Sequence, residues 1–263
     1  MPGYKHLLIE RRGAVAIVTM NRPEKANALN YDHLAEIEHA ALSFRDDSDT
    51  RAVVFAGAGK HFSSGADLTD PGLKRDQPLV VRRRRVRMGG RAIRALMDMD
   101  QITVAAWTGA AMGGGACVAT ALDFRVGGQN CFMCYPEITI GVNLMWWSLP
   151  LVTHLAGPSR AKRLVIGGER IGAEMLDNWG ILDDLVAEDA VLERAIDLAQ
   201  FYATKSPVAA QMIKRSVNAI ASALDQSIMH MDFDQNILNQ DSEDAEAART
   251  AYLEGREPTF TGN

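Results

Sequence analysis

The chain has 263 residues, 47% of them hydrophobic and 23% charged, enough to bury a substantial core in one domain with an appended element. Its formal charge of −5 provides no global attraction to nucleic acid or to an anionic membrane, so an anionic partner would have to meet a local basic patch. Three cysteines do not make a disulfide framework, no apolar run reaches the ~20 residues a membrane span needs, and the first residues lack the apolar core of a leader, so a reduced, cytoplasmic setting is expected.

Along the chain, residues 6–10 and 14–20 alternate as two short strands around Arg11-Arg12-Gly13, a hairpin. A helix is predicted from about Tyr31 to Arg45, with Leu34, Ile37, Ala41 and Phe44 spaced for one apolar face. Arg51 to Ala56 reads as a buried strand, and residues 69–80 read as a loop. A helix is predicted from about Leu79 to Asp98, a strand from Ile102 to Trp107, a small-residue helix opened by Gly113-Gly114-Gly115, and a strand from Asp123. From Trp146 onward the pattern is almost entirely helical, and Ser206-Pro207 supplies a cap and a first position for one late helix. Strand–helix alternation followed by a helical tail predicts an α/β core over residues 1–200 and a helical subdomain over 201–263.

Two segments, each placed after a predicted strand, stand out chemically: residues 61–68 (His-Phe-Ser-Ser-Gly-Ala-Asp-Leu) and residues 109–116 (Gly-Ala-Ala-Met-Gly-Gly-Gly-Ala). Glycine lets a ligand approach the backbone, and unpaired N–H groups at a helix start attract negative charge. By itself a triple glycine is as readily a turn. It has no Lys-Ser/Thr ending and is not Gly-x-Gly-x-x-Gly, which argues against a nucleotide loop.

Asn21-Arg22-Pro23, Phe62-Ser63-Ser64-Gly65-Ala66-Asp67, Gly113-Gly114-Gly115, Pro136-Glu137 and Gly141 follow one another in the order and spacing of the enoyl-CoA hydratase/isomerase (crotonase) family, which the chain resembles. The similarity continues through residues 155–161 and 180–183 and so covers essentially the whole chain. The resemblance implies an α/β fold made of a spiral of ββα units, with C-terminal helices that build a homotrimer, often paired into a dimer of trimers. It implies an acyl-CoA thioester as substrate, with coenzyme A as part of that substrate and no separate cofactor. It also implies an oxyanion hole formed by the N–H groups of Ala66 and Gly114, with Ala26, Ser64, Gly65, Asp67, Leu68, Gly113, Cys117 and Trp146 against the ligand.

Two-glutamate hydratases of the family carry one carboxylate after the triple glycine and one after the proline of the Pro-Glu pair. Here the first position is Cys117, and only Glu137 remains. Moving a proton between two carbons of one substrate needs a single such group, whereas adding water ordinarily uses two. Isomerisation of a 3-enoyl to a 2-enoyl thioester and single-glutamate hydration are therefore both open, and a non-catalytic thioester binder is the competing class. Glu137 could instead cap a helix or pair with a cation. Cys117 reads as a small buried hydrophobe rather than a nucleophile, since no histidine lies near it in sequence. Trp146 and Trp147 either narrow and dry an acyl pocket or belong to the core.

Cys131 and Cys134 stand in a run, residues 130–135, that reads as a strand, and they have no second pair to complete a zinc site, so no metal is expected. Arg82 to Arg85 with Arg87 form a cationic cluster: a solvated helix face, a contact for the CoA phosphates, or an RNA contact that the overall negative charge disfavours. His61 is expected to support its loop.

Overall fold

In the computed structural model, residues 3–70 and 77–263 are described; part of the loop expected at 69–80 lies outside them, at 71–76. The hairpin forms as β1 (Leu7–Arg12) and β2 (Val15–Met20), followed by α1 (Tyr31–Ser43) and β3 (Ala52–Gly57). Then come α2 (Leu79–Met97), β4 (Ile102–Trp107), β5 (Ala110–Met112), α3 (Gly114–Ala121), β6 (Phe124–Gly128) and β7 (Phe132–Cys134). The remainder comprises α4 (Ser148–Ala156), α5 (Pro158–Val165), β8 (Ile171–Gly172), α6 (Ala173–Asn178), β9 (Asp184–Val186), α7 (Val191–Ala203), α8 (Pro207–Ala221), α9 (Gln226–Met229), α10 (Asp232–Gln240) and α11 (Glu243–Glu254).

Six strands form one sheet in the order β1-β2-β3-β4-β6-β9, antiparallel only between β1 and β2. The inner strands are apolar on both faces, as a covered parallel sheet requires. Val18, Val53, Phe55, Ala105 and Trp107 point into the larger core, which α1, α2 and α3 also fill. Ile17, Val54, Val104 and Val126 point the other way, onto Val191, Ala195, Ile196 and Ala199 of α7. A smaller sheet, β5-β7-β8, stands beside the first. Three short strands were not read from sequence. β5 and β8 have three residues or fewer, too short to show a period, and β9 sits in a region whose pattern is otherwise helical.

Local chemistry explains the boundaries. Asn30 caps α1, its side chain accepting from the His33 N–H. Ser206 occupies the cap position of α8 as expected, but its side chain makes no capping bond, so Pro207 alone marks that start. No helix among the described residues is long and apolar enough to cross a membrane.

Lys214 is the one buried residue of α8. Its Nζ donates to Asp123 Oδ2 at 2.6 Å and to the Gln101 carbonyl at 2.7 Å, joining α8 to the edge of the core. Lys214→Met should therefore cost about 3 kcal/mol, the lower end for breaking a buried pair, because Asp123 keeps the Thr103 N–H and hydroxyl as donors. Urea unfolding of the variant beside the unaltered chain measures it.

Candidate active site

The site is built where two strand-following segments are brought together. After β3 the chain runs back along β5: the Ser63 N–H donates to the Ala110 carbonyl at 2.9 Å, and the Met112 N–H donates to the Ser63 carbonyl at 3.0 Å. On its other side the same segment meets residues 26–29. The Ser64 N–H donates to the Ala26 carbonyl, the Leu29 N–H to that of Gly65, and the Asp67 N–H to that of Leu29. Asn27, fully buried with φ 55°, holds this loop by donating from Nδ2 to the carbonyls of Ala58 and His61. His61 supports the loop as expected, its Nδ1 accepting from the Ala110 N–H.

Gly65 shows why a glycine stands there. Its φ is +89°, and a Cβ would lie 2.5 Å from the Met112 carbonyl oxygen and 3.2 Å from the Gly114 nitrogen. The backbones of the two segments thus touch. Of the three consecutive glycines, Gly113 is the residue before α3, and its N–H is taken by the Cys134 carbonyl at 2.9 Å. Among the described residues, the N–H groups of Ala66 and Gly114 donate to no protein acceptor. The Gly114 amide opens α3, where the helix leaves its first N–H groups unpaired.

Glu137 follows Pro136 in a short 3₁₀ turn. Its carboxyl lies against Gly113: a Cβ on that glycine would come within 2.4 Å of Oε1. Oε2 is buried without a partner, and burial pushes the carboxyl from its ordinary 4.5 up to about 7. Among the described residues this carboxyl makes neither a helix-cap bond nor a salt bridge, and the backbone group beside it is its own N–H.

Cys117 is buried one helical turn into α3. Burial raises its thiol well above the ordinary range, Glu137 adds to that, and the Ser148 hydroxyl donates to Sγ. A thiol so placed is a poor nucleophile. Tyr135, also fully buried, brings its hydroxyl close to Ser148 and Thr120.

Trp146 packs its indole between two helices. A Cβ at Gly114 would fall 2.2 Å from its six-membered ring, and one at Gly89 in α2 would fall 1.9 Å from the ring junction. A cavity of about 100 Å³ opens beside it, lined by Leu29, Leu34, Ala66, Met145, Trp146 and side chains of α2, among others.

Not every expected contact residue reaches that cavity. Ala66, Asp67 and Trp146 line it, whereas Leu68 is 56% exposed. Asp67 gives its carboxylate to Arg22 at 2.9 Å and to Thr69, which together hold it below the usual range against the opposing effect of burial. Ala26 and Ser64 serve the loop through the bond described above. The arginine cluster is neither fully solvated nor uncommitted: Arg83 pairs with Asp234 on α10 and Arg82 with Asp241, the residue just after it, while Arg87 lies over Phe233. Cys131 and Cys134 are buried and unbridged, and burial drives the Cys131 thiol up to about 12.

Sequence reasoning did not single out Gly89, Ser148, Tyr135 or Asp232. Asp232 is buried and lies against the backbone N–H groups of Trp146 and Trp147. An acid in the first turn of a helix is the ordinary preference, which hid it.

Glu137 predicts a dependence of stability on pH. With a folded-state value near 7 and an unfolded one near 4.5, the folded chain keeps a proton the unfolded chain has released, so stability falls as pH rises through that window. Glu137→Gln removes the drop. The stability of the variant relative to the unaltered chain should rise from pH 4.5 to 7 and stay level above, as thermal melts in matched buffers would report.

Comparison with known proteins gives the family. Residues 10–263 match the enoyl-CoA hydratase/isomerase family. The chain is 28% identical to a short-chain-enoyl-CoA hydratase of Clostridium acetobutylicum over 255 residues, 95% of each chain. An enoyl-CoA hydratase from Mycobacterium avium subsp. paratuberculosis superposes at a TM-score of 0.87, with 24% identity over 98% of this chain and 100% of that one. A monofunctional enoyl-CoA isomerase from M. smegmatis superposes at 0.69, with 27% identity over 83% of this chain and 94% of that one. With the crotonase fold and a family match over nearly its whole length, this chain belongs to the enoyl-CoA hydratase/isomerase family and is an enzyme of that type.

Proposed function

We propose that the chain acts on an enoyl-CoA thioester, with Glu137 as its single proton-transfer group and the N–H groups of Ala66 and Gly114 as the oxyanion hole. The observation that carries this is the Glu137 carboxyl, buried beside Gly113 with Oε2 unpartnered and its pKa lifted to about 7. A carboxyl at that value both takes and returns a proton near neutral pH. Two amides without protein acceptors suit a thioester oxygen that gains charge when C2 is deprotonated, each worth about 3–4 kcal/mol in the transition state.

In isomerisation the Glu137 carboxylate takes a proton from C2 of a 3-enoyl thioester, the electrons spread into a dienolate, and the same proton returns at C4. In hydration Glu137 delivers its proton to C2 as water adds at C3, and the proton shed by the added water returns to the Glu137 carboxylate, restoring the acid. The hydratase names carried by many relatives support the second reaction. Cys117, buried where a second carboxylate would stand, supports the first. The thioester carries its own coenzyme A, and no separate cofactor enters either route.

Self-association belongs to the same reading. Met212, Val217, Ile220 and Leu224 stand exposed on and just after α8, the last two at 79% and 80%. A second copy of the chain would cover them, in a trimer or a dimer of trimers. Ile220→Asp should lower the mass measured by light scattering if that face is the contact.

For the chemistry, Glu137→Gln should bind crotonyl-CoA nearly as before while turnover falls by about two orders of magnitude or more. The pH profile separates the reactions. Isomerisation starts from the carboxylate and should rise through pH 7, whereas proton delivery in hydration should decline above it. Full activity in the Gln variant would refute the assignment.

A further inference from the structure

Trp146 and Trp147 both have φ of 63°, a left-handed conformation that bulky residues seldom adopt. Such backbone persists only where its surroundings impose it. The surroundings here come from one face of α10. Asn239 Oδ1 accepts from the Asn143 N–H at 2.8 Å, and Asn236 Nδ2 donates to the Asn143 carbonyl at 3.2 Å. One turn before Asn236, the Asp232 carboxyl lies against the N–H groups of Trp146 and Trp147. Positions 232, 236 and 239 share a helix face, so α10 grips the segment at both ends.

Among the described residues, Asp232 has no cation paired with it. It is 3% exposed, its Oδ2 has no hydrogen-bond partner, and burial lifts its carboxyl to about 6 while the two amides pull it down. The neighbouring contacts fasten the same helix to α2: Arg82 to Asp241, Arg83 to Asp234, and Phe233 against Gly90. The held residue, Trp146, packs on Gly114 and also walls the cavity that Ala66 lines. At about 100 Å³ that cavity is small beside the ~300–1,000 Å³ usual for ligand pockets.

We propose that Asp232 is a positioning residue that locks the Trp146–Trp147 turn, making Trp146 the wall that restricts the enzyme to short acyl groups. The proposal rests on the enoyl-CoA reading above. Asp232 acts through Trp146, and long acyl chains are refused because the indole fills the space they need.

The test compares kcat/KM for crotonyl-CoA and 2-decenoyl-CoA, with calorimetric binding of butyryl-CoA and decanoyl-CoA as a measure independent of turnover. The unaltered enzyme should favour the short member of each pair. Trp146→Ala should raise the long-to-short ratio by about tenfold or more, the scale of a few methylenes gained in an apolar pocket, and Trp146→Phe by less. Asp232→Ala should raise the ratio in the same direction, chiefly through KM, whereas Asp232→Asn, which keeps an acceptor oxygen, should stay near the original value. Should Asp232→Ala not fold, Asp232→Ser removes the carboxyl with a shorter polar side chain and is expected to raise the ratio too.

A ratio unchanged in both Trp146 variants overturns the wall. A destabilised Asp232 variant with the original ratio reduces Asp232 to a fold-keeping residue and overturns the lock. Absence of turnover and of binding for every thioester in the unaltered enzyme would sink the enoyl-CoA reading, and this proposal with it.

Discussion

Backbone-to-backbone contact between the segment after β3 and the turn before α3 is the constraint on which the site rests. Gly65 lies so close to the Met112 carbonyl and the Gly114 nitrogen that any side chain there would force the two apart. Main-chain bonds hold the contact, with the side chains of Asn27 and His61 bracing the loop: Ser63 is laddered to β5, and Leu29 is bridged to Ala66. Main-chain ladders tolerate little displacement, so the two unpaired amides keep a fixed separation without a ligand to order them. In the proposed chemistry such preorganisation is what stabilises developing charge, since no donor has to turn toward the oxygen during the reaction.

Around that frame the protein keeps polar groups that a purely structural core would exclude. Glu137 Oε2, Trp146 Nε1 and Asp232 Oδ2 are all buried without partners, in a region where Cys117 and Tyr135 are buried as well. Each such atom costs folding free energy, because water satisfied it in the unfolded chain. Other such atoms, on His6, His33 and Gln101, lie elsewhere in the core, but Glu137 and Trp146 both stand against the glycines that open α3. Burial without a cation leaves Glu137 poised near neutrality. A nearby arginine would hold it ionised and make it a weak base.

The C-terminal helices turn from the sheet to the site. After α7 has covered the second face of the sheet, α10 lies across α2 and the 141–147 segment, joined to both by ion pairs and amide side chains. The arginine run that looks in sequence like a phosphate-binding or solvated cluster is, in part, the other half of this junction. Its exposed pairs are individually weak, and their effect is to fix where α10 sits.

Much was legible in the sequence. Period and breakers located the hairpin, α1, β3, α2 and β4 to within a residue or two, because both inner-sheet strands and amphipathic helices impose patterns on a local window. Motif order identified the family, and the Pro-Glu pair drew attention to Glu137. Local windows do not record what approaches from elsewhere. The run of three glycines did not show that Cys134, arriving on β7, takes the amide of Gly113, so that Gly114 is the first of them with no protein acceptor among the described residues. Trp146 could be core or pocket until Gly89 and Gly114, 57 and 32 positions before it, closed on its two faces. Asp232 looked like an ordinary acid at a helix start until the fold set it against a strained turn 85 residues earlier. The sequence by itself determined the elements and the family, which depend on short-range pattern. Only the tertiary structure decided which amide is unpaired, which carboxyl is desolvated and which side chain bounds the cavity, because each depends on groups far apart along the chain.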